Sequence, residues 1–325
     1  MNVEKIGLIG LGKHGSRYLN HIENDFPGLR LHAFCRRDAS RLGETAAVTK
    51  AKGFAEYGDL IAEGGCDAIV AVVPPHLHLD IVVRATRAGL PLLLEKPAAP
   101  SMAAAIEIMR VVRSSRVPLM VAQTLRYNGV VRALRAHLEE IGTITSVALS
   151  QRFEPSLLPW LDDPDRAGSG VALHTGVHSF DLLRYLTGRE VRSVAAHVSS
   201  VNTSKTEDNC AASLELDGGV LATVSLARTT RGRTGLIEIS GERGTLAGDH
   251  VLQRAHWVRG RAATPIAVGE AVPTVREVLR DFIVALECGG EVPIPLQEGL
   301  AAVAVADACV ESARQGRTVR VPTFA

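Results

Sequence analysis

The stretch KIGLIGLGKHG, residues 5–15, begins with a short apolar run that ends in glycine. A run of this length, rich in isoleucine and leucine, is typical of a buried β-strand. Residues 10–15 follow the pattern G-x-G-x-x-G, and the residues from 13 to 24 have a helical pattern. We therefore expect the chain to begin with a strand, a tight glycine turn and a helix.

The same alternation of strand and helix continues to about residue 122. Further strand-like runs occupy 29–35, 67–73, 90–95 and 117–123, and helical patterns occupy 38–50, 77–88 and 101–115. Strands that alternate with helices of this length indicate βαβ units and a parallel sheet. We predict an α/β domain over residues 1–122, a doubly wound parallel sheet whose ligands bind at the carboxyl ends of the strands.

After residue 123 the pattern changes to that of an α+β domain with an open, mostly antiparallel sheet. An amphipathic helix is predicted at 129–140, strands at 143–153, 191–201, 209–216, 219–228 and 234–241, and late helices at 273–288 and 297–315. Asp217-Gly218-Gly219 separates two of the strands and predicts a hairpin turn. The second domain is therefore expected to span 123–325, with a long loop at 154–170.

The composition excludes several classes of protein. The 325 residues carry 36 basic and 35 acidic side chains, and this balance offers no general field for nucleic acid or an anionic membrane. The five cysteines form no C-x-x-C pair, which argues against a disulfide framework and a structural zinc site. The chain has no basic, apolar leader and no long apolar segment, so we expect a cytoplasmic protein.

The glycine turn predicts a dinucleotide site. Gly10 permits the tight turn, Gly12 lets a pyrophosphate approach the backbone, and Gly15 allows the helix to pack closely on the strand. Lys13 and His14 lie in the same turn. The alternative is a glycine-rich turn without a ligand.

Arg36 and Arg37 end the second predicted strand, where an NAD-preferring fold usually has an acidic residue on the ribose hydroxyl. A carboxylate would repel a 2′-phosphate, whereas a guanidinium binds one bidentately. These residues therefore predict a preference for NADP, with NAD as the other possibility. The alternative is a pair of solvated arginines that begin a surface helix.

Four stretches together resemble the glucose-fructose oxidoreductase/inositol dehydrogenase/rhizopine catabolism (Gfo/Idh/MocA) family. They are GLIGLGKHG at 7–15, VVPPHLHLDIVVRATRAGLPLLLEKP at 72–97, GSGVALHTGVHSFDLLRYLTG at 168–188, and PIPLQEGLAAVAVADACVESARQGRTVRV at 293–321. The resemblance implies a Rossmann domain, an α+β domain with an open sheet, and assembly as a dimer or tetramer. It also implies reversible NAD(P)-linked oxidation of a secondary alcohol on a small sugar, cyclitol or related polyol.

The resemblance also assigns residues. Lys96 corresponds to the lysine of the family's E-K-P motif, and His178 to the histidine that ends its D-x-G-x-H segment, whereas His174 replaces the usual aspartate. His78 resembles a histidine near the nicotinamide, and Pro74 and Glu95 are counted with it as cofactor-binding residues.

His174, His178 and Asp181 would share one face of a single helix, which is compatible with a metal site, an acid/base pair or packing. Hydride transfer requires no metal, and no metal is expected. We predict that Lys96 donates a proton or positive charge to the carbonyl oxygen, that His178 carries the proton, and that His174 contacts substrate. Asp181 either orients His178 or binds another group.

Four more residues are candidates for substrate binding: Arg126, Tyr127, Arg152 and Trp160. Either arginine is suited to a carboxylate or phosphate, or equally to a surface salt bridge. Trp160 either covers the substrate or packs. Two other functions remain open, namely a non-catalytic regulator that binds a nicotinamide nucleotide, and a lyase or glycosidase with a recycled cofactor.

Overall fold

A computed structural model describes residues 2–324. Its first elements, in chain order, are β1 (Lys5–Ile9), α1 (Gly15–Asn24), β2 (Arg30–Cys35), α2 (Ala39–Thr49), β3 (Lys52–Phe54), α3 (Tyr57–Glu63), β4 (Ala68–Ala71), α4 (His78–Arg87), β5 (Leu92–Leu94), α5 (Met102–Arg113) and β6 (Leu119–Val121).

The remaining elements begin after residue 123. They are α6 (Gly129–Ala136), β7 (Ile144–Arg152), α7 (Pro164–Ala167), α8 (Val171–His174), α9 (Gly176–Thr187), β8 (Val191–Ser199), β9 (Asn209–Leu216), β10 (Leu221–Ala227), β11 (Thr234–Gly241), β12 (Gly244–Asp249), β13 (Arg254–Arg259), β14 (Ala262–Pro265), α10 (Thr274–Cys288), α11 (Leu296–Gln315) and β15 (Val319–Arg320). Within residues 2–324, none of the helices combines the length and apolarity that crossing a bilayer requires.

The first sheet has six parallel strands in the order β3-β2-β1-β4-β5-β6, which confirms the predicted doubly wound fold. Strands β4, β5 and β6 are buried throughout, as expected for a sheet with covered faces. The sequence analysis did not assign β3 and α3. A three-residue edge strand and a seven-residue helix are too short to produce a clear periodicity.

The second sheet has nine strands in the order β14-β13-β12-β11-β7-β10-β9-β8-β15, and its pairs are antiparallel except β7 with β10. The Asp217–Gly219 turn joins β9 to its antiparallel neighbour β10, so the predicted hairpin is confirmed. Buried and exposed residues alternate along β9 and β10, and one face of this sheet is therefore solvent-exposed.

The chain forms two compact units. The first comprises the residues to Ala99, Ala103–Gln123 and Pro273–Gly299, and the second comprises Pro100–Met102, Thr124–Val272 and the residues from Leu300 onward. A division at residue 123 remains a prediction about domains, and the compact units differ from it at Pro273–Gly299. This segment joins the first unit because the Val121 amide donates to the Ile294 carbonyl at 2.9 Å, extending the β6 edge.

Candidate active site

The glycine turn between β1 and α1 has the shape that a bound pyrophosphate requires. Gly10 has a φ of +94°, and a Cβ atom there would lie 2.2 Å from the Val72 carbonyl oxygen. A Cβ atom on Gly15 would lie 1.9 Å from the Gly10 oxygen, whereas one on Gly12 would meet nothing within 4 Å. Gly10 and Gly15 therefore hold the backbone close, and Gly12 leaves open space in front of the helix N-terminus.

Two arginines follow the carboxyl end of β2. Arg36 is partly exposed and Arg37 is exposed, and neither guanidinium group has a hydrogen-bond or ion-pair partner among the described residues. The next residue, Asp38, instead caps α2 by accepting the Arg41 amide at 3.1 Å. Both guanidinium groups are therefore available to a ligand at this strand end.

Glu95, which follows β5, organises a buried polar network. Its Oε1 atom accepts hydrogen bonds from His14 Nε2 and the Tyr18 hydroxyl, both at 2.7 Å, and Oε2 accepts the Lys96 amide at 3.0 Å. Burial alone would raise the pKa of Glu95, but the His14 and Tyr18 hydrogen bonds and the charges of His14 and Lys96 outweigh it and lower the pKa. Glu95 thus joins the glycine turn and α1 to the end of β5.

The same network shows what the sequence analysis missed. Tyr18 is fully buried, and burial together with the Glu95 carboxylate raises its pKa well above the ordinary value. Its position four residues after His14, on the same helix face, was the available signal. In the observed contacts His14 and Glu95 bind each other, so they position the turn; direct contact with a cofactor stays a prediction.

Lys96 follows Glu95 at the carboxyl end of β5 and is partly exposed. Strands β1, β4 and β5 are adjacent and parallel, so the glycine turn and Lys96 both lie at the carboxyl-terminal end of the sheet. The Lys96–Pro97 peptide bond is cis. Lys13, in the glycine turn, is exposed, and Pro74, which follows β4, is partly exposed.

His78 is fully buried, and its contacts favour a positioning role. Its Nδ1 and Nε2 atoms lie 3.3 Å from the Ala98 oxygen and 3.1 Å from the Val73 oxygen. Burial lowers the pKa of His78 to about 4, and a neutral ring donates from one nitrogen only. The ring connects the segment after β4 with the segment after Lys96. No surface of it is exposed to a ligand in this structure.

The stretch 170–183 does not form the single helix that was predicted. Helix α8 ends at His174, and Thr175, with φ of −107°, separates it from α9. Because the helix is interrupted, His174 and His178 do not occupy successive turns of one face. Among residues 2–324, no group of three or more His, Cys, Asp or Glu side chains is arranged to hold a metal ion.

The two histidines have different surroundings. His174 is buried, its Nε2 atom lies 3.0 Å from the Ala167 oxygen, and its ring meets Trp160 edge-on at 5.3 Å. If the ring is neutral, Nε2–H donates to Ala167 and Nδ1 is an acceptor. His178 is the one residue between 171 and 183 that is not buried. Of the two, His178 is the one that a substrate can reach more readily.

The Asp181 carboxylate forms an ion pair with Arg126. The Arg126 Nε and Nη2 atoms donate to the two carboxylate oxygens at 2.8 and 2.6 Å, and both side chains are buried. The bidentate pair links the start of the second unit to α9. The structure thus places Arg126 in an ion pair, which is buried and not at the surface. Binding of a substrate carboxylate by Arg126 stays a prediction.

Tyr127 and Arg152 also have structural contacts. Tyr127 is buried, with the Arg132 guanidinium 4.9 Å from its ring centre. Arg152 donates to the Gln151 oxygen at 3.1 Å and to the Ser225 oxygen and hydroxyl at 2.8 and 2.9 Å. It holds β7 against β10. Substrate binding by either residue stays a prediction.

A cavity that opens to solvent lies within the second unit; its empty space, counted with the solvent at its mouth, is about 440 Å³. The sequence analysis did not identify part of its wall. His174 lines it together with Glu207 and Arg228. Glu207 accepts the Gly170 and Ala172 amides at 2.9 and 3.0 Å at the start of α8, and burial raises its pKa. An arginine that closes an apolar run, as Arg228 closes 219–228, was the available signal.

Two family models match the chain. "Oxidoreductase family, NAD-binding Rossmann fold" matches residues 4–123, and "GFO/IDH/MocA C-terminal domain" matches residues 131–247. Inositol 2-dehydrogenase of Rhizobium meliloti is 28% identical over 282 residues, 80% of this chain and 82% of that protein. D-apiose dehydrogenase of Rhizobium rhizogenes is 26% identical over 355 residues, 99% of each chain.

Solved structures show the same fold. Levoglucosan dehydrogenase in complex with NADH superimposes with a TM-score of 0.90 at 22% identity, covering 99% of this chain and 100% of that chain. An oxidoreductase domain protein from Kribbella flavida has a TM-score of 0.90 at 21% identity, with coverage of 99% and 100%. With both domains matched in order, the chain belongs to the Gfo/Idh/MocA family of oxidoreductases and carries that family's NAD-binding Rossmann domain.

Proposed function

We propose that this oxidoreductase interconverts a secondary alcohol and a ketone on a small polyhydroxylated substrate. When bound, a nicotinamide cofactor supplies the hydride acceptor or donor. In the oxidative direction the substrate carbon loses a hydride and its hydroxyl loses a proton, and the protein has to receive that proton.

The geometry at the carboxyl-terminal end of the parallel sheet supports this proposal. Gly10 and Gly15 hold the backbone of the turn after β1 close to its neighbours, and Gly12 leaves open space beside it. Lys96 follows β5, so it lies at the same carboxyl-terminal end of the parallel sheet. Ligands of doubly wound sheets bind at the carboxyl ends of the strands. The residues present therefore fit a dinucleotide with its reactive ring near Lys96.

Lys96 and His178 are the proposed proton-handling residues. An ammonium group at the substrate oxygen stabilises the negative charge that develops there during hydride transfer. An imidazole changes charge near neutral pH and can carry the proton to solvent. The partial exposure of Lys96 and of His178 is compatible with contact to a substrate.

Arg36 and Arg37 support a preference for NADP over NAD. Both lie directly after β2, where the ribose of a bound dinucleotide is expected, and neither is neutralised by a described carboxylate. A guanidinium that binds a 2′-phosphate forms charge-assisted hydrogen bonds.

The relatives support the substrate class. Their names include a cyclitol and a sugar, inositol and D-apiose. His174 replaces the aspartate that the family usually has, so the chain's substrate is expected to differ in how its hydroxyl groups are held.

The open face of the nine-stranded sheet supports a homodimer or homotetramer. Leu221 and Leu236, on β10 and β11, are 61% and 50% exposed. Apolar side chains on a sheet face are stabilised when a second copy covers them. Analytical ultracentrifugation tests this assembly, and a monomer at micromolar concentration would contradict it.

A turnover assay tests the proposed function. The protein is incubated with NADP or NAD and with myo-inositol, D-apiose, levoglucosan and related polyols or their keto forms, while the absorbance of reduced nicotinamide is followed. We expect turnover on at least one substrate, faster with NADP. NADPH binding without turnover on any compound would instead favour a regulator, and product formation without net redox change would favour a lyase or glycosidase.

A further inference from the structure

One arginine on the wall of the cavity in the second unit has no partner for its charge. The Nε atom of Arg228 is buried without a hydrogen bond, and no described carboxylate lies within ion-pair distance of the guanidinium. Buried polar groups in proteins are nearly always hydrogen-bonded, so an exception requires an explanation such as an absent ligand. By contrast, the Arg126 side chain pairs with Asp181, and the Arg152 side chain donates hydrogen bonds to Gln151 and Ser225.

The charged side chains near Arg228 do not pair with it. Arg233 and Glu154 act on its charge from a distance. Arg233 binds one Glu154 oxygen through Nη2 and Nε, at 2.6 and 3.1 Å, so this carboxylate is already paired. An anionic ligand in the cavity would supply the partner that the Arg228 guanidinium lacks.

The two acidic residues on the cavity wall are engaged elsewhere. Glu207 binds the amides at the start of α8, and Asp208 accepts the Val201 and Asn202 amides at 2.8 and 2.7 Å. Their charges are compensated by backbone donors. They would nevertheless disfavour a dianion, which favours a carboxylate over a phosphate.

Hydrogen bonds hold the other segments of the cavity wall in place. The Asp162 carboxylate accepts the amides of Ser204, Lys205 and Thr206 at 3.0, 2.8 and 2.9 Å, and these bonds, with the Ser204 hydroxyl, lower its pKa. This clamp holds together two wall segments that include Leu161, Thr203 and Thr206. The Thr203 and Thr206 hydroxyls donate to the Thr206 and Leu161 oxygens at 2.6 and 3.0 Å, which leaves their lone pairs as acceptors for sugar hydroxyl groups.

We propose that this cavity binds the carboxylate end of the substrate through Arg228, so that the enzyme acts on a monosaccharide-sized sugar acid in preference to the neutral sugar. The inference rests on the proposed function, because it names the substrate class of that reaction. The binding site itself is testable without turnover.

The test compares the affinities of matched sugars for the protein saturated with NADPH, by isothermal calorimetry. The pairs are D-glucuronate with D-glucose and D-galacturonate with D-galactose, which differ by one carboxylate. We expect at least one uronate to bind about 10- to 100-fold more tightly than its neutral partner, the strength of a charge-assisted hydrogen bond. Arg228→Gln should remove the difference and leave NADPH affinity unchanged.

Two variants separate charge from general disruption. Arg231→Gln changes an exposed arginine of the same loop and should keep the preference for the acid. Arg228→Lys keeps the charge and should keep part of the preference for the acid. This variant replaces Arg228→Gln in the test if the glutamine variant does not fold. The proposal is wrong if the wild-type protein shows no acid preference, if Arg228→Gln retains it, or if glucose 6-phosphate binds more tightly than either uronate.

The outcomes also distinguish this inference from the proposed function. If uronate binding depends on Arg228 but no sugar supports hydride transfer, the cavity assignment stands and the proposed reaction fails. If a neutral polyol is turned over and uronates bind no better, the reaction stands and the cavity assignment fails.

Discussion

The glycine turn and the cavity of the second unit are proposed to bind their ligands through different kinds of chemical group. At the turn, the ligand-facing groups belong to the backbone, and Gly10 and Gly15 place them by leaving no room for a Cβ atom. At the cavity, the groups are side chains such as His174 and Arg228, held by loops and helix ends. A backbone site is encoded within six consecutive residues, whereas a side-chain site is assembled from segments far apart in sequence.

The largest expected effect concerns Arg126, a candidate substrate ligand whose side chain forms a buried ion pair with Asp181. Arg126→Ala leaves a buried carboxylate without its partner, which costs about 3–5 kcal/mol of unfolding free energy. Urea denaturation measures it. A stable variant with a raised KM would instead return Arg126 to the substrate site and weaken the contrast between the two regions.

Lys96→Ala tests whether the side chain after β5, at the same end of the sheet as the glycine turn, takes part in the reaction. We expect turnover to fall by about 100-fold or more, because the developing charge on the substrate oxygen loses its cation. NADPH affinity, measured by fluorescence titration, should stay within about twofold. Lys52→Ala, which removes an exposed lysine, is the control, and equal rates in both variants would exclude Lys96 from the reaction.

His78 makes the first unit sensitive to acid. Its pKa is about 4 in the folded protein against 6.5 ordinarily. Between these values the unfolded chain binds a proton that the folded ring refuses, so the stability present above pH 6.5 falls as the pH drops towards 4. From pH 8 to pH 5 the loss is about 2 kcal/mol. In His78→Gln this component of the pH dependence of urea denaturation should disappear; an unchanged slope would contradict the assignment.

Two alanine substitutions within the glycine turn should separate folding from ligand binding. Gly15→Ala places a Cβ atom 1.9 Å from the Gly10 oxygen and should cost about 1–3 kcal/mol of stability. Gly12→Ala meets nothing within 4 Å, so it should unfold at the wild-type temperature while losing nicotinamide affinity. Equal losses of melting temperature in both variants would show that Gly12 is structural too.

The smallest effect is expected for cofactor choice. Arg36→Asp should weaken NADPH binding about tenfold and leave NADH binding little changed, because a partly exposed charge pair is screened by solvent. Competition of the two cofactors in fluorescence titrations measures the ratio. An unchanged NADPH affinity would remove Arg36 from the 2′-phosphate site, and Arg231→Asp serves as the exposed control.

Local patterns predicted most of the fold. The alternation of apolar runs and helices predicted the parallel sheet of the first unit. Alternating apolar residues predicted β7 to β11 of the second sheet, whereas β12 to β15 were not predicted. Short elements such as β3 and α3 were missed. The return of 273–299 to the first unit was also missed, since it depends on the bond from Val121 to Ile294 and not on any property of the segment itself.

For the candidate site, the sequence by itself determined the glycine turn, the arginines after β2 and the order of Glu95 and Lys96, because each depends on residues adjacent along the chain. Only the tertiary structure decided that Arg126 binds Asp181, that His78 is enclosed, and that Thr175 separates His174 from His178. Whether a charged side chain faces a ligand or a partner depends on which carboxylate, carbonyl or cavity lies beside it. That neighbour is set by contacts over tens of residues, which no short spacing encodes.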